Sequence, residues 1–103
     1  MNELSDNNFS QEVLESTIPV LVVFTAPWCQ PCKQLKKLLT ELDSEIFLTT
    51  KVGILDVDEN HKTTSEYNIR SVPTLKLFIN GTVKKTHTGS LAKPQLISFL
   101  SHD

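Results

Sequence analysis

Several features that mark large classes of protein are scarce in this sequence. Basic and acidic residues nearly balance, giving a net charge of -2, so the sequence predicts no positive surface for nucleic acid or for an anionic membrane. No apolar run approaches the roughly 18 residues that cross a membrane. The first eight residues carry neither the basic start nor the apolar core of a leader. We therefore expect a cytoplasmic protein with no nucleic-acid or membrane partner.

Glycine is also scarce, and no glycine-rich phosphate-binding motif accompanies the three glycines, so we expect no bound nucleotide cofactor. Repeats, linkers and low-complexity tracts are absent. With 103 residues, of which 39% are hydrophobic, the chain has the size and composition of one globular domain covering residues 1–103.

The sequence does contain alternating helix and strand patterns. Short apolar runs predict strands, whereas apolar residues three and four apart predict amphipathic helices. Strands are predicted at residues 20–25, 51–58, 74–79 and 82–87, and helices at residues 8–15, about 30–42, 59–67 and 93–101. This order predicts an α/β fold in which helices cover both faces of a mixed sheet.

Two local signals locate the ends of elements. Asp6 or Asn7 is suited to cap the first helix, because short polar side chains accept hydrogen bonds from the N–H groups of a helical first turn. Asn80 and Gly81, between two predicted strands, are typical of a two-residue hairpin turn. The sequence therefore predicts a β-hairpin over residues 74–87.

The only two cysteines, Cys29 and Cys32, enclose Gln30 and Pro31 directly after an apolar run. Proline is tolerated in the first turn of a helix, so the helix is predicted to begin at Gln30 or Pro31 with Cys29 as its cap. Residues three apart on a helix have Cβ atoms about 5 to 6 Å apart. A small adjustment then allows a disulfide to form and open without refolding.

The start of a helix also affects the reactivity of a thiol. Free N–H groups of the first turn, together with Lys33 nearby, favour the thiolate of Cys29 and suit it to attack. Cys32 lies one turn inside the helix, where it is better shielded and suits a resolving role.

Three interpretations of this cysteine pair compete. A zinc site needs four ligands, and the only histidines that could join the pair are His61, His87 and His102, none in ligand spacing with another. Inert buried cysteines are a second possibility. We favour a redox-active dithiol without metal, because in a reducing cytosol two close cysteines are more often catalytic than structural.

The segments around the cysteines and four later segments resemble the thioredoxin family in order and spacing, over essentially the whole chain. They are residues 24–33, 55–60, 69–74, 78–81 and 89–90, which read FTAPWCQPCK, LDVDEN, IRSVPT, FING and GS. The resemblance implies the thioredoxin fold, with a central mixed sheet of about five strands flanked by four helices.

The resemblance also implies a protein-disulfide reductase. Cys29 would attack a disulfide in a target protein, and Cys32 would resolve the mixed disulfide. A thioredoxin reductase would then restore the dithiol, so that NADPH and FAD act only indirectly and this chain binds no cofactor.

A shallow groove around an exposed sulfur of Cys29 is implied as the binding surface for target proteins. Its residues would be Trp28, Pro31, Val72, Pro73, Gly89 and Ser90, with Pro73 in the cis form. For Trp28, packing in the core is the alternative. Because this groove is the one apolar surface that the sequence proposes, we expect a monomer.

The sequence departs from the family pattern near the cysteines. Members usually carry a buried Asp and a Lys where this chain has Val23 and Ile54, and a glycine where it has Gln30. We expect these positions and Lys33 to tune redox behaviour, and we expect Cys32 to lose its proton to water or to the departing thiolate. Two alternative functions remain open: an oxidant or reductant dedicated to one pathway, and a binding subunit whose cysteines are dispensable.

Overall fold

The structure is a computed structural model that describes residues 1–42 and 49–101. Five strands form its sheet: β1 (Asn2–Leu4), β2 (Val20–Thr25), β3 (Lys51–Asp56), β4 (Thr74–Ile79) and β5 (Thr82–Thr88). Their order across the sheet is β1-β3-β2-β4-β5. The first three strands run parallel, and β4 and β5 continue the sheet in antiparallel pairs.

Four helical segments accompany the sheet in the described residues: a π-helical turn (Ser10–Leu14), α1 (Gln30–Glu41), α2 (His61–Glu66) and α3 (Lys93–Phe99). The mixed sheet and its helices confirm the predicted α/β class. The strand expected at residues 51–58 ends at Asp56, whose carboxylate accepts a hydrogen bond from the backbone N–H of Asp58 at 2.9 Å and so turns the chain.

The central strand β2 is buried along its whole length because apolar clusters cover both of its faces. Leu21 and Val23 pack in a cluster that includes residues of α1 and α3. Val22 and Phe24 pack on the opposite face, in a cluster that also contains Phe9. The unbroken apolar run at residues 20–24 therefore reflects a strand that has no polar face.

The amphipathic pattern after the cysteines forms α1 as predicted. Leu35, Leu39 and Leu42 are buried, and Leu38 packs against the same cluster. Burying one leucine contributes about 1.5 to 3 kcal/mol. Packing of this face against the sheet thus holds the start of α1 beside the end of β2.

The hairpin prediction is also confirmed. Asn80 and Gly81 have φ values of 53° and 78°, the two left-handed residues that a tight hairpin turn requires. A Cβ on Gly81 would lie 2.7 Å from the carbonyl oxygen of Leu14. Both the backbone conformation and this close approach therefore call for glycine.

In the N-terminal region, the sequence missed one strand and gave one wrong prediction. Strand β1 was not predicted, because it has three residues and only Leu4 is buried, which is too short for an alternating pattern to show. Neither Asp6 nor Asn7 caps the first helical segment, which begins after Phe9 without a side-chain cap. The carboxylate of Asp6 instead accepts hydrogen bonds from two backbone N–H groups at the start of α2.

Candidate active site

The cysteine pair lies where β2 passes into α1. A tight turn joins the two elements, in which the backbone N–H of Cys29 donates to the carbonyl oxygen of Ala26 at 3.2 Å. Cys29 keeps an extended backbone, with φ -90° and ψ 110°, and α1 begins at the next residue. Pro31 lies in the first turn of α1, as predicted, because its missing N–H would have no helical partner there.

The two sulfur atoms form a disulfide, with 5.3 Å between the Cα atoms of Cys29 and Cys32. The Sγ atom of Cys29 also accepts a hydrogen bond from the backbone N–H of Cys32 at 3.2 Å, so Cys29 is the cap of α1. The helix start therefore presents an N–H group directly to this sulfur. Such an arrangement stabilises negative charge on Cys29 once the disulfide opens.

Both cysteines are more covered than the sequence suggested. Cys29 is only 4% exposed and Cys32 1%, so little of either residue reaches the surface in this oxidised form. The reason is that Ala26, Val57 and Val72 pack against the pair. The predicted order of shielding, with Cys32 the more deeply buried, is confirmed.

A second segment approaches the disulfide from the loop before β4. The Val72–Pro73 peptide bond is cis, as the resemblance implied. The carbonyl oxygen of Val72 lies 3.7 Å from the Sγ atom of Cys29. The backbone N–H of Gly89 donates to the carbonyl oxygen of Pro73 at 2.8 Å, which attaches this loop to the end of β5. Gly89 has a φ of 100°, so its backbone favours glycine although a Cβ would meet no atom.

Trp28 lies on the surface beside the cysteines and is 70% exposed. Its indole Nε1–H donates to a carboxylate oxygen of Asp58 at 3.0 Å. This position excludes core packing as the reason for the tryptophan. Asp58 was missed as a partner because it lies 30 residues away in the sequence.

A small cavity of about 110 Å³ lies beside Trp28. Its lining consists of Trp28, Val57, Thr64, Ile69, Arg70, Ser71 and Val72. Of the predicted groove residues, only Trp28 and Val72 contribute. Pro31 and Ser90 are exposed and lie outside this lining, as do Pro73 and Gly89. Sequence reasoning missed Arg70 and Ser71, although both directly precede Val72 and Pro73.

Two of the residues that depart from the family pattern lie side by side inside the fold. Val23 and Ile54 are direct neighbours in the register of β2 and β3. Val23 is fully buried and Ile54 partly so, in the cluster that packs against α1. Gln30 and Lys33 are exposed in the first turn of α1. The influence of these four residues on redox behaviour stays a prediction.

Of the histidines in the zinc interpretation, His61 and His87 lie in the described residues. Within residues 1–42 and 49–101, no three His, Cys, Asp or Glu side chains are placed to share a metal ion. His102 lies outside the described residues. In the same part of the chain, every helix is too short or too polar to cross a bilayer.

Comparison with known proteins decides the family. The family model described as Thioredoxin matches residues 1–102 of this chain. The chain belongs to the thioredoxin family. A protein named Thioredoxin from Rickettsia prowazekii (strain Madrid E) is 45% identical over 101 residues, which cover 98% of this chain and 96% of that protein. A Thioredoxin from Haemophilus influenzae is 41% identical over 98 residues, which cover 95% of this chain and 92% of that protein.

A third relative, named Thioredoxin from Buchnera aphidicola subsp. Schizaphis graminum, is 45% identical over 101 residues, covering 98% of this chain and 94% of that protein. Membership of the thioredoxin family, together with a cysteine pair that forms a disulfide at the start of α1, identifies the chain as a thiol–disulfide oxidoreductase. Its activity is that of a protein-disulfide reductase with a redox-active cysteine pair.

Proposed function

We propose that Cys29 is the attacking thiolate of this reductase and that Cys32 is the resolving thiol. The observation that carries the assignment is the hydrogen bond from the backbone N–H of Cys32 to the Sγ atom of Cys29 at 3.2 Å. This donor stabilises a thiolate at Cys29, whereas Cys32 lies inside the helix and is 1% exposed. Because Cys29 is the less buried of the two cysteines, it is the one that a large protein target can reach.

The reaction proceeds in two exchanges. In the reduced protein, the thiolate of Cys29 attacks one sulfur of a target disulfide, the S–S bond of the target breaks, and the second target sulfur leaves as a thiolate. Cys32 then loses its proton and attacks the Sγ atom of Cys29, the bond between Cys29 and the target breaks, and the first target sulfur leaves as a thiolate. The target gains two electrons and two protons in total, and this chain is left with the Cys29–Cys32 disulfide.

Target proteins bind at the groove formed by the loop before β4 and the exposed Trp28. Val72 supports this role because its carbonyl oxygen lies 3.7 Å from the Sγ atom of Cys29. Trp28 supports it because a large exposed aromatic side chain beside a reactive atom is a common anchor for a partner. We propose that Pro31, Pro73, Gly89 and Ser90 also contact the target, as the family resemblance implies.

A partner has to return the electrons. A thioredoxin reductase that carries FAD and draws on NADPH reduces the Cys29–Cys32 disulfide, and this chain itself binds no cofactor. The net charge of -2 supports a protein that acts on proteins rather than on nucleic acid or membranes. We propose that it works as a monomer in the cytoplasm.

Trapping the mixed disulfide tests this division of roles. Reduced Cys32→Ser, incubated with a disulfide-bonded protein and analysed by mass spectrometry without reductant, should accumulate an adduct attached to Cys29. The matched control is Cys29→Ser, which keeps one cysteine of the pair and should accumulate little adduct. The assignment is wrong if Cys29→Ser forms the adduct more rapidly than Cys32→Ser.

A further inference from the structure

A second cavity shares lining residues with the one beside Trp28 and has no role in the reaction described above. It measures about 220 Å³ and shares Ile69, Arg70 and Ser71 with the smaller cavity. Its lining combines two cationic side chains, Arg70 and Lys76, with five hydroxyl-bearing side chains. Among the described residues, no Asp or Glu lines it. We call it the cationic cavity.

The β4–β5 hairpin builds one wall of the cationic cavity. Lys76 is paired with Thr86 in the register of the two strands, and Thr74 with Thr88, so all four side chains lie on one face. The Nζ atom of Lys76 donates to the Oγ1 atom of Thr86 at 3.1 Å. The Thr86 hydroxyl accepts this bond, and its own proton therefore remains available to a ligand.

Among the residues that the structure describes, no carboxylate forms an ion pair with Arg70 or Lys76. In the part of the chain that the structure describes, the ion pair that forms joins Lys51 to Glu12, and neither Arg70 nor Lys76 takes part in one. Burial, and then the carboxylate of Glu66, raise the pKa of Tyr67, so its hydroxyl stays protonated at neutral pH. Two unpaired cations beside hydroxyl donors form a site whose complement is an oxyanion.

The cavity lies within reach of a substrate bound at Cys29. The carbonyl oxygen of Val72 lies 3.7 Å from the Sγ atom of Cys29, and Lys76 follows Val72 by four residues. A chain of four residues spans at most about 13 Å, and less here because residues 71–73 form a bend. A group held at Lys76 can therefore belong to the same polypeptide segment as the reacting cysteine, about four residues away from it.

We propose that the cationic cavity binds an acidic side chain of the target protein and so selects disulfides that have a carboxylate about four residues from the reacting cysteine. A carboxylate on the target fits better than a free anion, because Ile69, Arg70 and Ser71 line both this cavity and the one beside Trp28. This inference rests on the proposed function and adds to it a class of preferred substrate.

Single-turnover kinetics with matched peptides test the inference. Each peptide has one cysteine in a mixed disulfide with 2-mercaptoethanol, and either Glu or Gln four residues before or after it. Reduced protein attacks this disulfide through Cys29, releases 2-mercaptoethanol, and then releases the peptide thiol as the Cys29–Cys32 disulfide forms. Because Trp28 is the only tryptophan, its fluorescence can report the oxidation.

We expect the second-order rate constant at low salt to be about fivefold higher for one Glu peptide than for its Gln partner. High salt should reduce this ratio, because exposed charges are screened. In Lys76→Gln, the Glu-to-Gln ratio should fall close to one. The matched control is Lys84→Gln, which removes an exposed lysine of β5 outside the cavity and should keep the wild-type ratio.

The possible failures are distinguishable. Equal, measurable rates for the Glu and Gln peptides with the wild-type protein would overturn the inference alone. An equal loss of the ratio in Lys84→Gln would overturn it too, since the preference would then arise from overall charge. If neither peptide oxidises the wild-type protein, the proposed function fails, and the inference fails with it.

Discussion

Helices α1 and α2 both begin with backbone N–H groups that have no carbonyl partner inside the helix, and the chain satisfies them with different atoms. At α1, the Sγ atom of Cys29 accepts the N–H of Cys32 at 3.2 Å. At α2, the carboxylate of Asp6 accepts the N–H of Lys62 at 3.3 Å and that of Thr63 at 2.8 Å. The acceptor at α1 precedes its donor by three residues, whereas Asp6 precedes its donors by 56 and 57 residues.

Both helix starts therefore stabilise a negatively charged acceptor, but the two acceptors have different roles. A helix start stabilises negative charge, whatever atom carries that charge. At α1 the atom is a sulfur that can gain and lose a covalent partner, so the stabilised charge serves reaction. At α2 the atom is a permanent carboxylate, and the backbone N–H of Asp6 also donates to the side-chain oxygen of Asn60 at 2.9 Å. There the charge attaches the N-terminal segment to the helix.

Replacing the sulfur of Cys29 separates its role in the reaction from its role as a helix cap. The loss of activity in this variant is the largest effect that we expect. Cys29→Ser should abolish reduction of a protein disulfide, because a hydroxyl does not form the mixed disulfide. Serine is a good helix cap, so the free energy of unfolding should stay close to that of the reduced wild-type protein. The control Cys29→Ala should lose activity and, in addition, about 1 kcal/mol of stability. Equal stability losses in both variants would show that Cys29 does not act as a cap.

The second prediction concerns how the cysteine pair loses its proton. Val23 is fully buried in the cluster that packs against α1, and its neighbour Ile54 is also apolar, so the pair supplies no carboxylate to act as a base there. A carboxylate introduced by Val23→Asp would have a raised pKa because of burial. If water or the departing thiolate now removes the proton of Cys32, Val23→Asp should speed resolution of the mixed disulfide by about 10²-fold.

Stopped-flow measurement of mixed-disulfide resolution across pH checks this expectation. Val23→Asp should show a new titration that the wild-type protein lacks. The Asn side chain of Val23→Asn has nearly the same shape as Asp but does not ionise in this pH range. This variant should therefore show neither the faster rate nor the new titration. Ile54→Lys can be added to Val23→Asp if the buried carboxylate prevents folding. No gain in rate and no new titration in the folded variant would refute the hypothesis.

The sequence predicted those parts of the structure that depend on neighbouring residues. The apolar run of β2, the leucine face of α1, the Asn80–Gly81 turn and the cap at Cys29 are local patterns, and all are confirmed. The family resemblance added the cis bond before Pro73, which local chemistry alone would not favour.

Contacts between distant segments could not be predicted in this way. Asp6 was assigned to the nearest helix, but its partners lie at Lys62 and Thr63, which only the folded sheet brings close. The same applies to the bond between Trp28 and Asp58. The near-complete burial of Cys29 also depends on the packing of three separate segments around it. Such features require the tertiary structure because no local period or spacing encodes them.

The smallest expected effect comes from the carboxylate cap of α2. Hydrogen bonds from the side chain and the backbone N–H of Thr63 lower the pKa of Asp6 below its ordinary value. A carboxyl group with a lowered pKa in the folded state stabilises the protein fully above the unfolded-state pKa, and this stabilisation is lost as the pH falls below about 4. Asp6→Asn should therefore lower the melting temperature by a few degrees at pH 7, and the difference should shrink between pH 7 and acid pH as Asp6 takes up a proton. Thermal unfolding across this range checks the prediction, with the exposed Glu59→Gln as control. A difference that does not change with pH would mean that the charge of Asp6 contributes nothing at this helix start.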